Sequence, residues 1–147
     1  MSAPYAPVTA EIARRVTHIV GERHVIYAAT DRLEPYGHDE SVDESGTPHL
    51  PELVVRPGSA AEIQALVRLA NTANVPITPR GAGSGLSGGA VPIYGGIVLD
   101  VCRLNRILEI DTENLMVVVE PGVITSEINE KLRRARGQAG QQRGAAS

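Results

Sequence analysis

A chain of 147 residues is the size of one domain or part of one, too short for separate cofactor and substrate lobes. Its 42% hydrophobic and 21% charged residues are ordinary for a globular chain, and no apolar run approaches the roughly 20 residues of a membrane-spanning helix, which excludes a transmembrane protein. A net charge of −3, one lysine among 14 basic residues, and the lack of Phe and Trp leave no basic patch for duplex nucleic acid and almost no rings for stacking bases.

The start, Met1-Ser2-Ala3-Pro4-Tyr5, carries no basic stretch followed by an apolar one, and the single Cys102 cannot close an internal disulfide. A reduced, cytoplasmic chain is expected. From Thr9, a plausible N-cap, to about Gly21, the residues Ile12, Val16, Ile19 and Val20 recur at helical spacing and predict a short amphipathic helix that packs as a lid or brace. Residues 30–52 are dense in acids and turn formers without an apolar period and are expected to be a loop or linker.

Leu53-Val54-Val55 is a short β-branched run closed by Pro57-Gly58, and Ser59 with Glu62 has capping-box spacing. The helix predicted there buries Ile63, Leu66, Val67 and Ala70, ends at Asn74 as a left-handed C-cap, and leads into Val75-Pro76-Ile77. This is a βαβ unit, whose right-handed crossover sets the two strands parallel, and open α/β sheets place ligands at the C-terminal ends of such strands. Further on, Ile97-Val98-Leu99 is a strand, and Ile107–Ile110 and Met116–Val119 flank the turn Asp111-Thr112-Glu113-Asn114 as a hairpin. Ile124, Ile128 and Leu132 mark a last helix behind Thr125 whose pattern ends at Arg133.

The second strand of the βαβ unit opens into Pro79-Arg80-Gly81-Ala82-Gly83-Ser84-Gly85-Leu86-Ser87-Gly88-Gly89, where five of the nine residues from 81 to 89 are glycine. Fixing a backbone residue costs about 1–2 kcal/mol and more for glycine, so ordering this loop needs on the order of 10 kcal/mol from packing or a ligand. Glycine permits positive φ and close approach, so successive N–H groups can form a nest for phosphate oxygens, to which Arg80, Ser84 and Ser87 could add donors. Residues 83–88 match Gly-x-Gly-x-x-Gly, but Gly89-Ala90-Val91-Pro92 follows where a Rossmann helix should begin, and the only lysine, Lys131, is too far away for a Walker loop. A flexible loop without function is the bland alternative. Val at Gly83 or Gly85 is expected to strip a cofactor while leaving the fold.

The four histidines are not at zinc spacing and Cys102 has no Cys partner, so no metal is expected; His38-Asp39-Glu40 reads as polar loop in preference to an acid–base pair, and no catalytic residue is assigned. From Arg133 to Ser147 only Arg, Gly, Gln, Ala and Ser remain, and residues 1–132 carry −7 against +4 in this tail. The tail is read as a disordered or aberrant terminus in preference to an arm for an anionic partner.

Leu53–Pro57, the helix after it, Val75–Gly89, Ile97–Asp100 and Val118–Val123 together resemble the N-terminal FAD-binding domain of FAD-linked oxidases, in particular the glycolate oxidase and D-lactate dehydrogenase branch of the vanillyl-alcohol oxidase superfamily. The resemblance covers residues 30–132. It implies an α+β fold of the PCMH type, with an N-terminal βαβ subdomain and the beginning of a second. The domain organisation it suggests is a helix and linker over 1–46, a partial FAD-binding domain over 47–132, and the tail over 133–147. Residues 79–89 (Pro79, Arg80, Gly81, Ala82, Gly83, Ser84, Gly85, Leu86, Ser87, Gly88 and Gly89) are implied to wrap the FAD pyrophosphate, with Pro121, Gly122 and Val123 along the cofactor. Ser84 stands where some relatives carry a flavin-linked histidine, which implies non-covalent binding. The family continues into a substrate domain, so the resemblance implies a truncated, FAD-binding portion of an oxidoreductase for a 2-hydroxy acid such as glycolate or D-lactate, with a separate electron acceptor. A non-catalytic nucleotide- or anion-binding module is the other class carried.

Overall fold

A computed structural model of the chain describes residues 4–28, 30–41 and 49–144. It divides into two compact units, Met1–Leu104 and Asn105–Ser147, each treated on its own.

The first unit is a four-stranded sheet in the order β1-β2-β4-β3, made of Val25–Tyr27 (β1), Leu53–Val55 (β2), Ile77–Arg80 (β3) and Ile97–Asp100 (β4). β2 and β3 each pair in parallel with β4, and β1 closes the β2 edge antiparallel, Ile26 opposite Val54. β2 and β4 are buried throughout, as their unbroken apolar runs require of strands covered on both faces. Side chains alternate across the sheet. Leu53, Val55, Ile97 and Leu99 face one core with Ile12, Val16 and Val20 of α1 (Ala10–Val20) and Leu66 and Leu69 of α3 (Ala60–Ala73), whereas Val54 and Val98 join Ile26 and Leu33 in a second, with Tyr36 against it. Between β1 and β2 the chain forms the four-residue helix α2 (Thr30–Leu33) and a 3-10 turn over Glu34–Tyr36.

The predicted helix ends hold. Thr9 Oγ1 accepts from the Ile12 N–H at 3.3 Å, Ser59 Oγ accepts from the Glu62 N–H at 3.2 Å, and Asn74 takes φ 53° to cap α3. The Glu62 carboxylate accepts instead from the N–H of Gly58, at 2.7 Å, so the capping box reaches one residue further back than its spacing implies.

The first unit departs from the sequence reading in its strand order, its crossover and its edge. The strands of the expected βαβ unit, β2 and β3, are parallel but not neighbours, because β4 inserts between them. The adjacent parallel pair β3 and β4 is joined by residues 81–96, so the glycine-rich segment occupies the crossover position that a helix usually fills. α1 is no separate brace: its apolar stripe completes the main core, and the run Val25-Ile26-Tyr27, too short to show a period, is an edge strand. Of the expected linker, residues 42–48 lie outside the described residues.

In the second unit β5 (Ile107–Asp111) and β6 (Met116–Val119) form the expected antiparallel hairpin. Asp111 Oδ1 accepts from the N–H groups of Glu113 at 3.0 Å and Asn114 at 2.9 Å, an Asx turn, and Leu115 takes φ 57° to bring the chain round. At the open end Arg106 donates to Glu120 from Nε at 3.0 Å and from its backbone N–H at 2.8 Å, which holds the Glu120 carboxyl below its ordinary range. α4 (Thr125–Gly144) continues through Arg133, where the sequence reading places the start of an unstructured tail. Arg, Gln and Ala have high intrinsic helix propensity, so the backbone stays helical after the apolar spacing stops. Residues 145–147 of that tail lie outside the described residues. Among the described residues, no helix is long and apolar enough to cross a membrane.

Candidate cofactor site

In the first unit, each parallel strand delivers a charged residue at its C-terminal end: Arg56 directly after β2, Arg80 at the end of β3 and Asp100 at the end of β4. With Tyr36, Gly81 and Cys102 they line a cleft of about 490 Å³. Clefts of about 500 and 510 Å³ beside Arg68 and Tyr94 lie away from these strand ends and bring no bare backbone into place.

Asp100 is the hub. Its carboxylate is buried, accepts from Tyr36 Oη at 3.1 Å and from the Cys102 N–H at 2.9 Å, and has Arg56 Nε at 3.3 Å. Arg56 Nη2 donates to Tyr36 Oη at 2.7 Å, closing a triangle. Burial, partly offset by the Arg56 hydrogen bond, pushes the Tyr36 phenol up, with the Asp100 charge adding to the rise, so Tyr36 stays a neutral donor. Desolvation, then Asp100, raises the Cys102 thiol, which keeps it protonated and poorly nucleophilic. Asp100→Asn is expected to lower the Tyr36 pKa, read by ultraviolet titration, and to cost about 2 kcal/mol in urea unfolding, since Arg56 is partly solvated. An unchanged phenol titration would show that Asp100 does not hold the triangle.

Arg80 is not the free phosphate donor expected of it. Its Nη1 donates to the His38 carbonyl at 2.7 Å and its Nη2 to the Pro35 carbonyl at 3.3 Å, and its guanidinium lies over the Tyr36 ring at 5.6 Å. Arg80 therefore ties the mouth of the glycine-rich loop to the 35–38 segment.

The loop itself presents main chain to solvent. Gly81, Ala82, Ser84, Gly85, Leu86, Ser87 and Gly89 are exposed, and among the described residues no backbone N–H from 82 to 87 donates to another main-chain carbonyl. Gly83 and Gly88 take φ 72°, whereas a Cβ at Gly81 or Gly89 would meet open space. Uncommitted amides on a backbone without side-chain bulk are the donor set that a diphosphate requires, so the residues present fit that group. Gly85 is not in the left-handed region, so the positive-φ argument applies to Gly83 and not to Gly85, where a side chain acts only by its bulk.

Pro121, Gly122 and Val123 belong to the second unit, in the turn between β6 and α4, where the Val123 N–H donates to the Glu120 carbonyl at 3.2 Å. Tyr36, Arg56 and Asp100 were not assigned a role from the sequence. The available signal for Arg56 and Asp100 is positional: a charged residue directly follows each of the two buried apolar runs, Leu53–Val55 and Ile97–Leu99.

Residues 51–146 match the family described as FAD binding domain. An uncharacterized FAD-linked oxidoreductase of Mycobacterium tuberculosis is 37% identical over 81% of this chain and 25% of its own length. A D-lactate dehydrogenase of Anaerostipes hadrus is 34% identical over 84% of this chain and 25% of its own. The chain thus spans about a quarter of the length of these curated relatives. Among solved structures, p-cresol methylhydroxylase with substrate bound superposes with a TM-score of 0.76 at 25% identity, over 88% of this chain and 26% of that one. The α+β fold expected from the sequence is accordingly of the PCMH type. With a family match over residues 51–146, most of its length, this chain belongs to the FAD binding domain family.

Proposed function

We propose that this chain supplies the diphosphate-binding part of an FAD cradle in an oxidoreductase for a 2-hydroxy acid such as glycolate or D-lactate. The observation that carries the reading is the bare crossover between β3 and β4, whose amides from 82 to 87 have no main-chain partner among the described residues. In this reading Pro79–Gly89 surround the pyrophosphate, Pro121, Gly122 and Val123 lie along the cofactor, and the residues over 47–132 form the cofactor-binding part. Ser84 has no imidazole to offer the flavin ring, which supports non-covalent binding. Bound FAD would supply a hydride acceptor for the substrate α-carbon, and a separate acceptor then takes the electrons. A lone cysteine with its thiol held protonated suits a reducing, cytoplasmic setting. The 2-hydroxy-acid assignment draws on the D-lactate dehydrogenase relative.

The test is equilibrium titration of the 147-residue chain with FAD by flavin fluorescence, followed by guanidinium denaturation and filtration. Saturable binding, with all flavin passing the filter after denaturation, is expected. Equal affinity for ADP and FAD would favour the nucleotide-binding module, and flavin retained on the denatured chain would overturn the non-covalent assignment.

A further inference from the structure

Asp39 lies in a polar segment to which the cofactor reading gives no role, yet only 8% of its surface is exposed. Its Oδ1 accepts from the Ser41 N–H at 2.8 Å and from the Ser41 hydroxyl, which fixes the carboxylate in a tight turn. Its Oδ2 is fully enclosed and has no hydrogen-bond partner among the described residues. That oxygen faces the glycine-rich loop: a Cβ at Gly85 would lie 3.6 Å from it, and a Cβ at Gly88 would lie 3.8 Å from the Ser41 hydroxyl. The next residue, Glu40, donates its N–H to the Gly85 carbonyl at 3.0 Å, and His38 accepts from Arg80 one step earlier. Residues 38–41 therefore follow the loop from its mouth at Arg80 to its far limb at Gly88.

We propose that Asp39 is the positioning residue of the glycine-rich loop, a built-in anion that holds the far limb, Gly85–Ala90, in the shape that leaves the amides of 82–84 free for a ligand. An enclosed carboxylate oxygen without a partner is costly unless its charge is stabilised by nearby dipoles. The Ser41 hydroxyl and amide and then the amides of Ala90 and Gly88 do so, and they hold the Asp39 carboxyl below its ordinary range. Because this carboxylate lies beside Gly85, with Ser41 beside Gly88, a phosphate is repelled from that limb and directed toward residues 82–84. Asp39 thus divides the loop into an anchored limb and a binding limb. The ligand side of this inference rests on the diphosphate reading, while the loop-holding side does not.

The test combines amide hydrogen exchange with ADP titration of the 147-residue chain, comparing wild type, Asp39→Asn and Asp39→Ala. Expected in Asp39→Ala is exchange at least tenfold faster at Gly88 and Ala90, with Val54 and Val98 unchanged, and ADP affinity weakened about tenfold. Asp39→Asn keeps the acceptor for Ser41 but not the charge, so it should fall between the two in both measurements. If Asp39→Ala also loses protection at Val54 and Val98, the Asn variant decides: exchange at Gly88 and Ala90 within twofold of wild type overturns the proposal. Faster exchange at these amides in a chain whose wild type ignores ADP would leave Asp39 as the loop anchor and remove the diphosphate reading alone.

Discussion

Gly83→Val is expected to weaken FAD binding by at least tenfold while the sheet of the first unit stays folded, and Gly85→Ala to change it by less than about threefold. Both positions look alike in the sequence. At Gly83 the backbone takes φ 72°, where an L side chain costs about 1–2 kcal/mol and a β-branched one more. A Cβ there would also overlap the Arg80 guanidinium. Arg80 has a flexible end, but moving it breaks its hydrogen bonds to the Pro35 and His38 carbonyls and its stacking on Tyr36. The substitution thus opens the mouth of the loop as well as distorting its backbone. At Gly85 the backbone is not left-handed, and the nearest atom to an added Cβ is Asp39 Oδ2 at ordinary contact distance. Flavin fluorescence titration of both variants, with urea unfolding followed by circular dichroism, separates loss of binding from loss of fold. Equal binding by Gly83→Val and wild type would remove the loop from the cofactor site.

The difference between these two glycines also marks what the sequence could disclose. Local chemistry was legible: Thr9, Ser59 and Asn74 cap their helices, and the Asp111–Asn114 turn closes its hairpin, because each is decided by neighbours within a few residues. The apolar runs of β2 and β4 likewise identified strands, and glycine density identified the loop. Sheet order was not legible, since nothing local says that β4 inserts between β2 and β3. The same holds for the site. Tyr36 meets Asp100 across 64 residues and Arg80 meets His38 across 42, so the partners that shape the loop come from a segment whose own composition reads as solvated linker. His38-Asp39-Glu40 reads in the sequence as polar loop; its contacts give it a structural bearing on the glycine loop through the His38 and Glu40 backbone.

A second glycine, outside the loop proper, should matter more to the fold than any within it. Gly96→Ala is expected to destabilise the first unit by more than about 3 kcal/mol in urea unfolding, because strain and overpacking act at the same atom. Gly96 takes φ 66° and precedes β4, the strand that pairs with both β2 and β3. A Cβ there would lie 2.5 Å from the Pro76 carbonyl oxygen and 2.5 Å from its ring Cγ, and neither atom can swing aside as the end of a flexible side chain would. The Pro76 carbonyl is itself engaged by the Ile97 N–H at 2.9 Å, so relief by moving it would unpair the start of β3 from β4. On the other side, the Gly96 carbonyl accepts from the Glu52 and Leu53 N–H groups at 2.9 and 3.1 Å, and its N–H donates to Glu52 Oε2 at 3.1 Å, which pins the start of β2. One added methyl group therefore presses on the point where three parallel strands begin. Substitution at Gly95, also at positive φ but with its nearest neighbours 3.7 Å from an added Cβ, should cost only the backbone term, about 1–2 kcal/mol. Equal stability of the Gly95→Ala and Gly96→Ala chains would show that Pro76 yields, and that the strand starts are looser than their hydrogen bonds imply.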